Sequence, residues 1–489
     1  MEDSQSPGKI AILAGVAIAL GVFFDYLFYD KPPGISFLIF SIIILIALAG
    51  IIWLLKRPFL ASFWLYAIPI VFFSGMVAIR EAYFLSFLNI ILTLFLFLLL
   101  VDRTFGKDLR AYAIINYLAA GAALPLKIIG SAIVGVTDVF AVRTKLKGHQ
   151  ALGSVVRGVL LAVPVVIILL LLFASADLIF KKYLTDLFDI QIEAETFFYL
   201  VRILFVGGVL FGAFRIIAGL QHTSSQEVVS SRPKRTLGMI EISVFLGIIN
   251  AAFLTFIAVQ LAYLFGGEHN IAVQGYTYAE YARKGFFELI AAAVLTLLAL
   301  WGAERSIAKT EEKHARVFQW LSAGLGLQVF IMMISAFKRL SLYEQAYGFT
   351  NLRLYSHVAI VWIACIFVFL LIHIFRNEDE PKFAFRSFVS VLLFVAFLNF
   401  MNPDAFIARK NIERFSPSGK LDASYLMGLS SDAVPEIIKI PDVGSSCLIS
   451  SKVQHLREVG EYWQSLNLSR SNALRLLDRN PSLHECPSE

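Results

Sequence analysis

Three observations predict an all-α, polytopic membrane fold: eleven long apolar runs between Ile10 and Met401, charged residues at most of their ends, and a 489-residue chain that is 58% hydrophobic and only 16% charged. The runs are Ile10–Phe28, Gly34–Leu55, Leu60–Ile79, Ala82–Val101, Leu152–Phe180, Phe197–Leu220, Met239–Phe265, Phe286–Ala303, Val317–Phe337, His357–Phe375 and Phe388–Met401. A bilayer core of about 30 Å needs about 20 apolar residues at the helical rise, and most runs meet that length. The expected architecture is about 11 transmembrane helices with a small helical, extracytoplasmic C-terminal tail.

The elements fall into four regions. Residues 1–101 hold four spans. The first follows a short polar stretch, Met1–Lys9, with no small-residue cleavage site after it, so it reads as a retained span and not a signal peptide. Residues 102–151 are half apolar, interrupted by Pro125, Lys127 and Asp138 and closed by Arg143, Lys145 and Lys147. An amphipathic segment on the cytoplasmic face fits this pattern, with a re-entrant pair as the alternative. Residues 152–401 form a seven-span core whose last run, about 14 residues, is the weakest. Residues 402–489 form a tail or cap: a turn at Ser416–Gly419, short helices at Asp422–Leu429 and Ser431–Ile440, one or two longer helices across Lys452–Asp478, and a frayed end from Asn480.

Orientation follows from the loops. With the N-terminus in the cytoplasm, the cytoplasmic stretches hold 20 basic residues, among them Lys56, Arg57, Arg232, Lys234 and Arg235, against 9 on the other side. The positive-inside bias therefore favours N-in, and an odd span count puts the tail outside. The net charge of +6 is explained by these loops. No nucleic-acid partner is implied; the partner is the lipid bilayer, and the oligomeric state is not readable.

Charges inside spans cost about 2.5–3.5 kcal/mol at the bilayer centre, so Arg202, Arg215, Glu241 and Glu288 need partners or water. Arg215 and Glu241 end consecutive antiparallel runs, which predicts a structural ion pair. Glu280 precedes Arg283 by three residues and Lys284 by four, and Glu288 follows two turns on, so a charged stripe enters the eighth span. One reading is a solvated surface helix. The other joins Glu280, Arg283 and Glu288 with Arg353, Asp404, Arg409, Asn411 and Arg414 around an outward-facing polar cavity. Guanidinium groups in such a cavity would suit a phosphate or carboxylate.

Signatures of known chemistry are missing from the sequence. Gly324-Leu325-Gly326 lies inside an apolar run and reads as helix packing. No two of the eight His stand at metal-ligand spacing, so neither a metal nor a cofactor is expected. Cys365 reads as a packing residue. A Cys447–Cys486 disulfide stays open, since pairing is not deducible from sequence.

The tail carries a family resemblance. Asn402–Phe415, Gly419–Asp422, Tyr425-Leu426 and Leu429–Pro435, together with Ala174–Asp177 and Phe180, Tyr278–Leu289 and Tyr347–Tyr355, resemble bacterial membrane proteins of domain-of-unknown-function family 4173 and its close relative 4153. The similar stretches cover most of the chain from about Leu152 to Leu477, with Lys410 standing where the family leads one to expect an aromatic. The resemblance implies a multi-pass protein of the bacterial inner membrane with no assigned reaction. Two function classes follow. One is a protein that binds or moves a small anionic or lipidic ligand; the other is a membrane-embedded enzyme acting on a lipid or headgroup, with Glu280, Glu288, Asp404 or Asp432 as acid or base. A sensor or assembly partner is a further alternative.

Overall fold

The computed structural model describes residues 7–54, 63–103, 109–143, 194–218, 239–264, 286–307, 312–419, 421–440, 452, 456–457 and 462–479. All regular structure among them is helical. The first four helices are α1 (Pro7–Phe28), α2 (Ile35–Leu54), α3 (Phe63–Ile79) and α4 (Tyr83–Arg103), followed by a 3-10 turn at Leu109–Ala111. Then come α5 (Ile114–Arg143), α6 (Ala194–Ile217), α7 (Met239–Leu264), α8 (Phe286–Ser306), α9 (Glu312–Tyr347), α10 (Asn351–Arg376) and α11 (Glu380–Met401). The tail holds α12 (Pro403–Ser418), α13 (Ala423–Gly428), a 3-10 turn at Ser431–Ala433, α14 (Val434–Ile437), a second turn at Trp463–Ser465 and α15 (Leu468–Asp478).

Seven of these helices are long and apolar enough to cross a membrane: α1, α2, α4, α8, α9, α10 and α11. Three more expected runs form α3, α6 and α7, and the fifth, Leu152–Phe180, lies outside the described residues. The run expected to be weakest is a 22-residue helix, because α11 begins at Glu380 and carries Lys382 and Arg386 on its first turns. Large apolar side chains such as Trp53, Ile68, Leu295 and Trp320 stay exposed at 78, 65, 69 and 73%. In an apolar helix that outward surface is what lipid solvates.

The helices pack in two groups. α1 lies along α6, and α6 also lies along α5; α2, α3 and α4 join this group, while α7, α8 and α10 gather around α9. Close approach in the first group rests on glycine. A Cβ on Gly212 would stand 2.1 Å from the Ile128 carbonyl oxygen, and one on Gly21 would stand 2.6 Å from that of Ile203. Small residues give membrane helices their packing contact where no water is available to drive association. Within 102–151, α5 places Tyr117, Ala120, Leu124 and Ile128 on one buried stripe.

α11 links the groups, touching α4, α5 and α10. Near one end of the bundle, Asn89 of α4 and Asn399 of α11 exchange amide hydrogen bonds of 2.9 and 2.8 Å with both side chains fully buried. The α1–α2, α3–α4 and α9–α10 turns all lie at this end, and the tail covers it.

Candidate functional site: the tail-covered end

The covered end is a polar seam built from chain segments far apart in sequence. Its centre is Asp432, 2% exposed, in the turn before α14. The Asp432 carboxylate accepts from the backbone N–H groups of Glu81 and Ala82 at 2.8 and 3.0 Å, from Ser469 Oγ at 2.8 Å and from Ser430 Oγ at 3.3 Å. Arg80 Nη1 stands 3.5 Å away and adds the opposite charge. Beside it, Arg470 donates to Glu81 at 2.6 Å, and Glu81 also accepts from the Ser431 N–H at 3.0 Å. The two backbone donors belong to the α3–α4 turn and have no helical acceptor of their own, which is why a carboxylate from the tail fits there.

Asn467 extends the seam. Its amide donates to the carbonyls of Val77 and Arg80 at 3.0 and 2.9 Å, while its Oδ1 accepts the N–H of Arg470 and caps α15. One residue earlier, the Leu466 carbonyl accepts the N–H of Ile35 at the start of α2. Gly34 is required here, because a Cβ would meet the Leu466 carbonyl oxygen at 2.6 Å.

A second set of tail contacts closes the α9–α10 turn. Gly348 adopts φ +83 after the last turn of α9, a conformation that favours glycine. Asn411 reads both backbone groups of Phe349, accepting its N–H at 2.7 Å and donating to its carbonyl at 2.8 Å. Arg414 donates to the carbonyls of Gln345 and Ala346 at 2.9 and 2.6 Å, placing a cation at the carbonyl end of α9. Arg353 donates to the Gly348 carbonyl and lies 4.0 Å over the Tyr343 ring. Tyr425 Oη accepts the N–H of Asn351 at 2.8 Å. Glu344 is buried alongside, 3.2 Å from His357 Nδ1.

Asp404, 3% exposed, accepts the Ser430 N–H at 2.8 Å. Burial is the main cause that holds its carboxyl above the ordinary value, and the Asp432 charge adds to the effect. Lys452 spends its ammonium on the carbonyls of Met427 and Leu429, and burial lowers its pKa. Arg409 is exposed and stacks over Phe406.

Of the residues expected to line a polar cavity, Arg353, Asn411 and Arg414 are thus brought together, but on backbone groups of this chain. Glu280 and Arg283 lie outside the described residues, and Glu288 stands in the first turn of α8. Arg215 is 1% exposed on α6, which packs on α1 and α5; Glu241 is exposed on α7, which packs on α9. The two charges occupy different environments. Arg202 has a partner that the sequence did not point to: Asp25 of α1, at 2.5 Å. Arg80, Glu81, Asp432, Asn467 and Arg470 were not connected by any periodic pattern.

An open cavity of about 630 Å³ flanks the seam on the α1–α6 side, lined by Ala19, Val22, Phe23, Asp25, Tyr26, Tyr29, Lys31 and Tyr199. Among the described residues no group of three or more His, Cys, Asp or Glu is placed to hold a metal ion. Cys365 is a free thiol in α10, and both Cys447 and Cys486 lie outside the described residues.

No curated protein and no solved structure matches the chain. Residues 67–440 match the family described as Domain of unknown function (DUF4153). The match runs from α3 to the end of α14 and so includes the α3–α4 turn together with Asp404 and Asp432. On a match of that extent, this all-helical membrane protein belongs to the DUF4153 family.

Proposed function

We propose that this protein binds a small anionic or lipidic ligand at its tail-covered end, and that this end faces away from the cytoplasm of a bacterial inner membrane. The observation that carries the reading is the use made of the seam's charges. Asp432 and Glu81 are occupied by donors from this chain, and Asn411 and Arg414 are spent on the α9–α10 turn. These charges serve the fold, whereas Lys31 borders an open cavity. The tail also ties the α3–α4 turn and the α9–α10 turn to one body. Relative motion of those turns would break buried charge-assisted bonds, which favours binding over passage through the bundle.

Thermal unfolding of the purified full chain tests the reading. A ligand at about 100 times its Kd adds about 2.7 kcal/mol to the bound fold, so anionic lipids or small organic anions should raise the transition. Failure of both classes to do so, or ligand flux through the protein in proteoliposomes, would overturn it. The enzyme alternative has one observation in its favour: Asp404 is a buried carboxyl held above its ordinary value, the state a general acid needs. Turnover of a lipid or headgroup substrate that is lost in Asp404→Asn would favour that alternative.

A further inference from the structure

We infer that the cleft between α1 and α6 holds one phospholipid, its phosphate at Lys31 and an acyl chain along α1. The inference rests on the ligand-binding reading above and names the ligand. Ala19, Val22, Phe23 and Tyr26 stand at positions i, i+3, i+4 and i+7, one continuous stripe of α1 that faces the cavity. Gly21 and Gly207 bring α1 and α6 together just below, with a Gly21 Cβ position 2.6 Å from the Ile203 carbonyl oxygen. Above that contact the larger Tyr26, Tyr29 and Tyr199 line the opening.

Length selects a lipid over a small soluble anion. From Ala19 to Tyr29 the stripe runs about 15 Å along the helix, half of a bilayer core of about 30 Å and so the depth of one leaflet. The 630 Å³ of space is of the size that ligand sites occupy. Its polar groups sit together at the mouth. Lys31 Nζ donates to the Tyr26 carbonyl at 2.9 Å and lies 5.1 and 5.6 Å from the Tyr26 and Tyr462 rings, which leaves further N–H donors on the ammonium. Arg202 stands behind this lining, paired with Asp25 through Nε and 4.0 Å over the Tyr29 ring, with its Nη2 buried and lacking an acceptor among the described residues. Tyr26 also meets Trp463 at 6.5 Å between ring centroids, so the tail contributes an aromatic edge to the same mouth. A cation among tyrosines at the end of an apolar groove matches a phosphate above its chains.

The test uses the full chain in mild detergent, with native mass spectrometry during titration by phosphatidylglycerol. One lipid per chain is expected. Ala19→Trp fills the groove from an exposed position and should abolish that binding, whereas Leu295→Trp, exposed on α8, should leave it unchanged. Lys31→Ala removes one charge at the phosphate and should weaken binding about fivefold. sn-Glycerol 3-phosphate should not compete. If it competes as well as the lipid, the ligand is a soluble phosphate and the lipid inference fails while ligand binding stands. Equal lipid binding by Ala19→Trp and wild type would place the lipid elsewhere and overturn the inference. Binding of neither probe would overturn both.

Discussion

Replacing Asp432 by Ala removes the acceptor of two backbone donors at once, one buried and one half-buried. The N–H groups of Glu81 and Ala82 both lose the carboxylate oxygen they share, at 2.8 and 3.0 Å, and Ala82 is 3% exposed. An unsatisfied buried donor costs about 1–3 kcal/mol, while Arg80 and Ser469 lie nearer the surface and can turn to water. The loss is therefore about 3 kcal/mol, or about a hundredfold shift of the tail toward release. Asp432→Asn keeps an acceptor for the two donors and loses only the charge, so about 1 kcal/mol and about a fivefold shift are expected. Limited proteolysis of the tail measures the open population as long as reclosing outpaces cleavage. A hundredfold faster cut in Asp432→Ala, with Asp432→Asn between it and wild type, is the expected result. Wild-type cleavage in Asp432→Ala, or identical behaviour of the two variants, would refute the clamp.

Gly212→Ala should cost about 1–3 kcal/mol by forcing α6 off α5, whereas Gly208→Ala, with nothing within 4 Å of its Cβ position, should leave the thermal transition unchanged. Asn89→Ala and Asn399→Ala should each lower stability by about 1 kcal/mol, and the double variant by less than their sum, since each single change strands the other amide. Burial raises the Asp404 carboxyl, so the docked tail holds this proton more tightly than the released tail does. The contribution of Asp404 to docking is least favourable at neutral pH and improves as pH falls through the raised value toward the ordinary 3.8. The docking advantage of Asp404→Asn over wild type should accordingly shrink on acidification, as read by the same proteolysis assay. Cysteine labelling of intact cells should find Ser418→Cys exposed and Ser231→Cys shielded; the reverse pattern would put the tail in the cytoplasm.

The spans were legible because bilayer thickness imposes a length that any apolar run either meets or misses. The last run was underestimated at Phe388 because Lys382 and Arg386 interrupt it, yet charged side chains are tolerated on the first turns of a span, and Arg386 meets Glu378 at 2.6 Å there. The grouping of Asn411 and Arg414 with Arg353 was legible, and the structure brings the three together at Gln345–Phe349. Their chemistry was not, since Arg and Asn suit both ligands and helix ends; Gly348 just past α9 was the signal for the second use. Arg215 and Glu241 were joined through chain adjacency, whereas α6 and α7 pack on different helices. Asp25 and Arg202 lie 177 residues apart, and Glu81 and Arg470 lie 389 apart. No local pattern encodes contacts of that separation; they arise only when several helices have already assembled.

Those separations set an order of events during synthesis. Asn467 reaches Val77 across 390 residues, and a ribosome adding about 5–20 residues per second takes roughly 20–80 s to cover that stretch. Throughout that interval the α3–α4 turn is made but its Val77 and Arg80 carbonyls lack their final partner. A chain that stops before Asn467 keeps every described span and the Asp432 clamp but leaves the Val77 and Arg80 carbonyls without their amide, so assembly of the membrane bundle and completion of its covered end are separate checkpoints, the second read only once the last residues arrive.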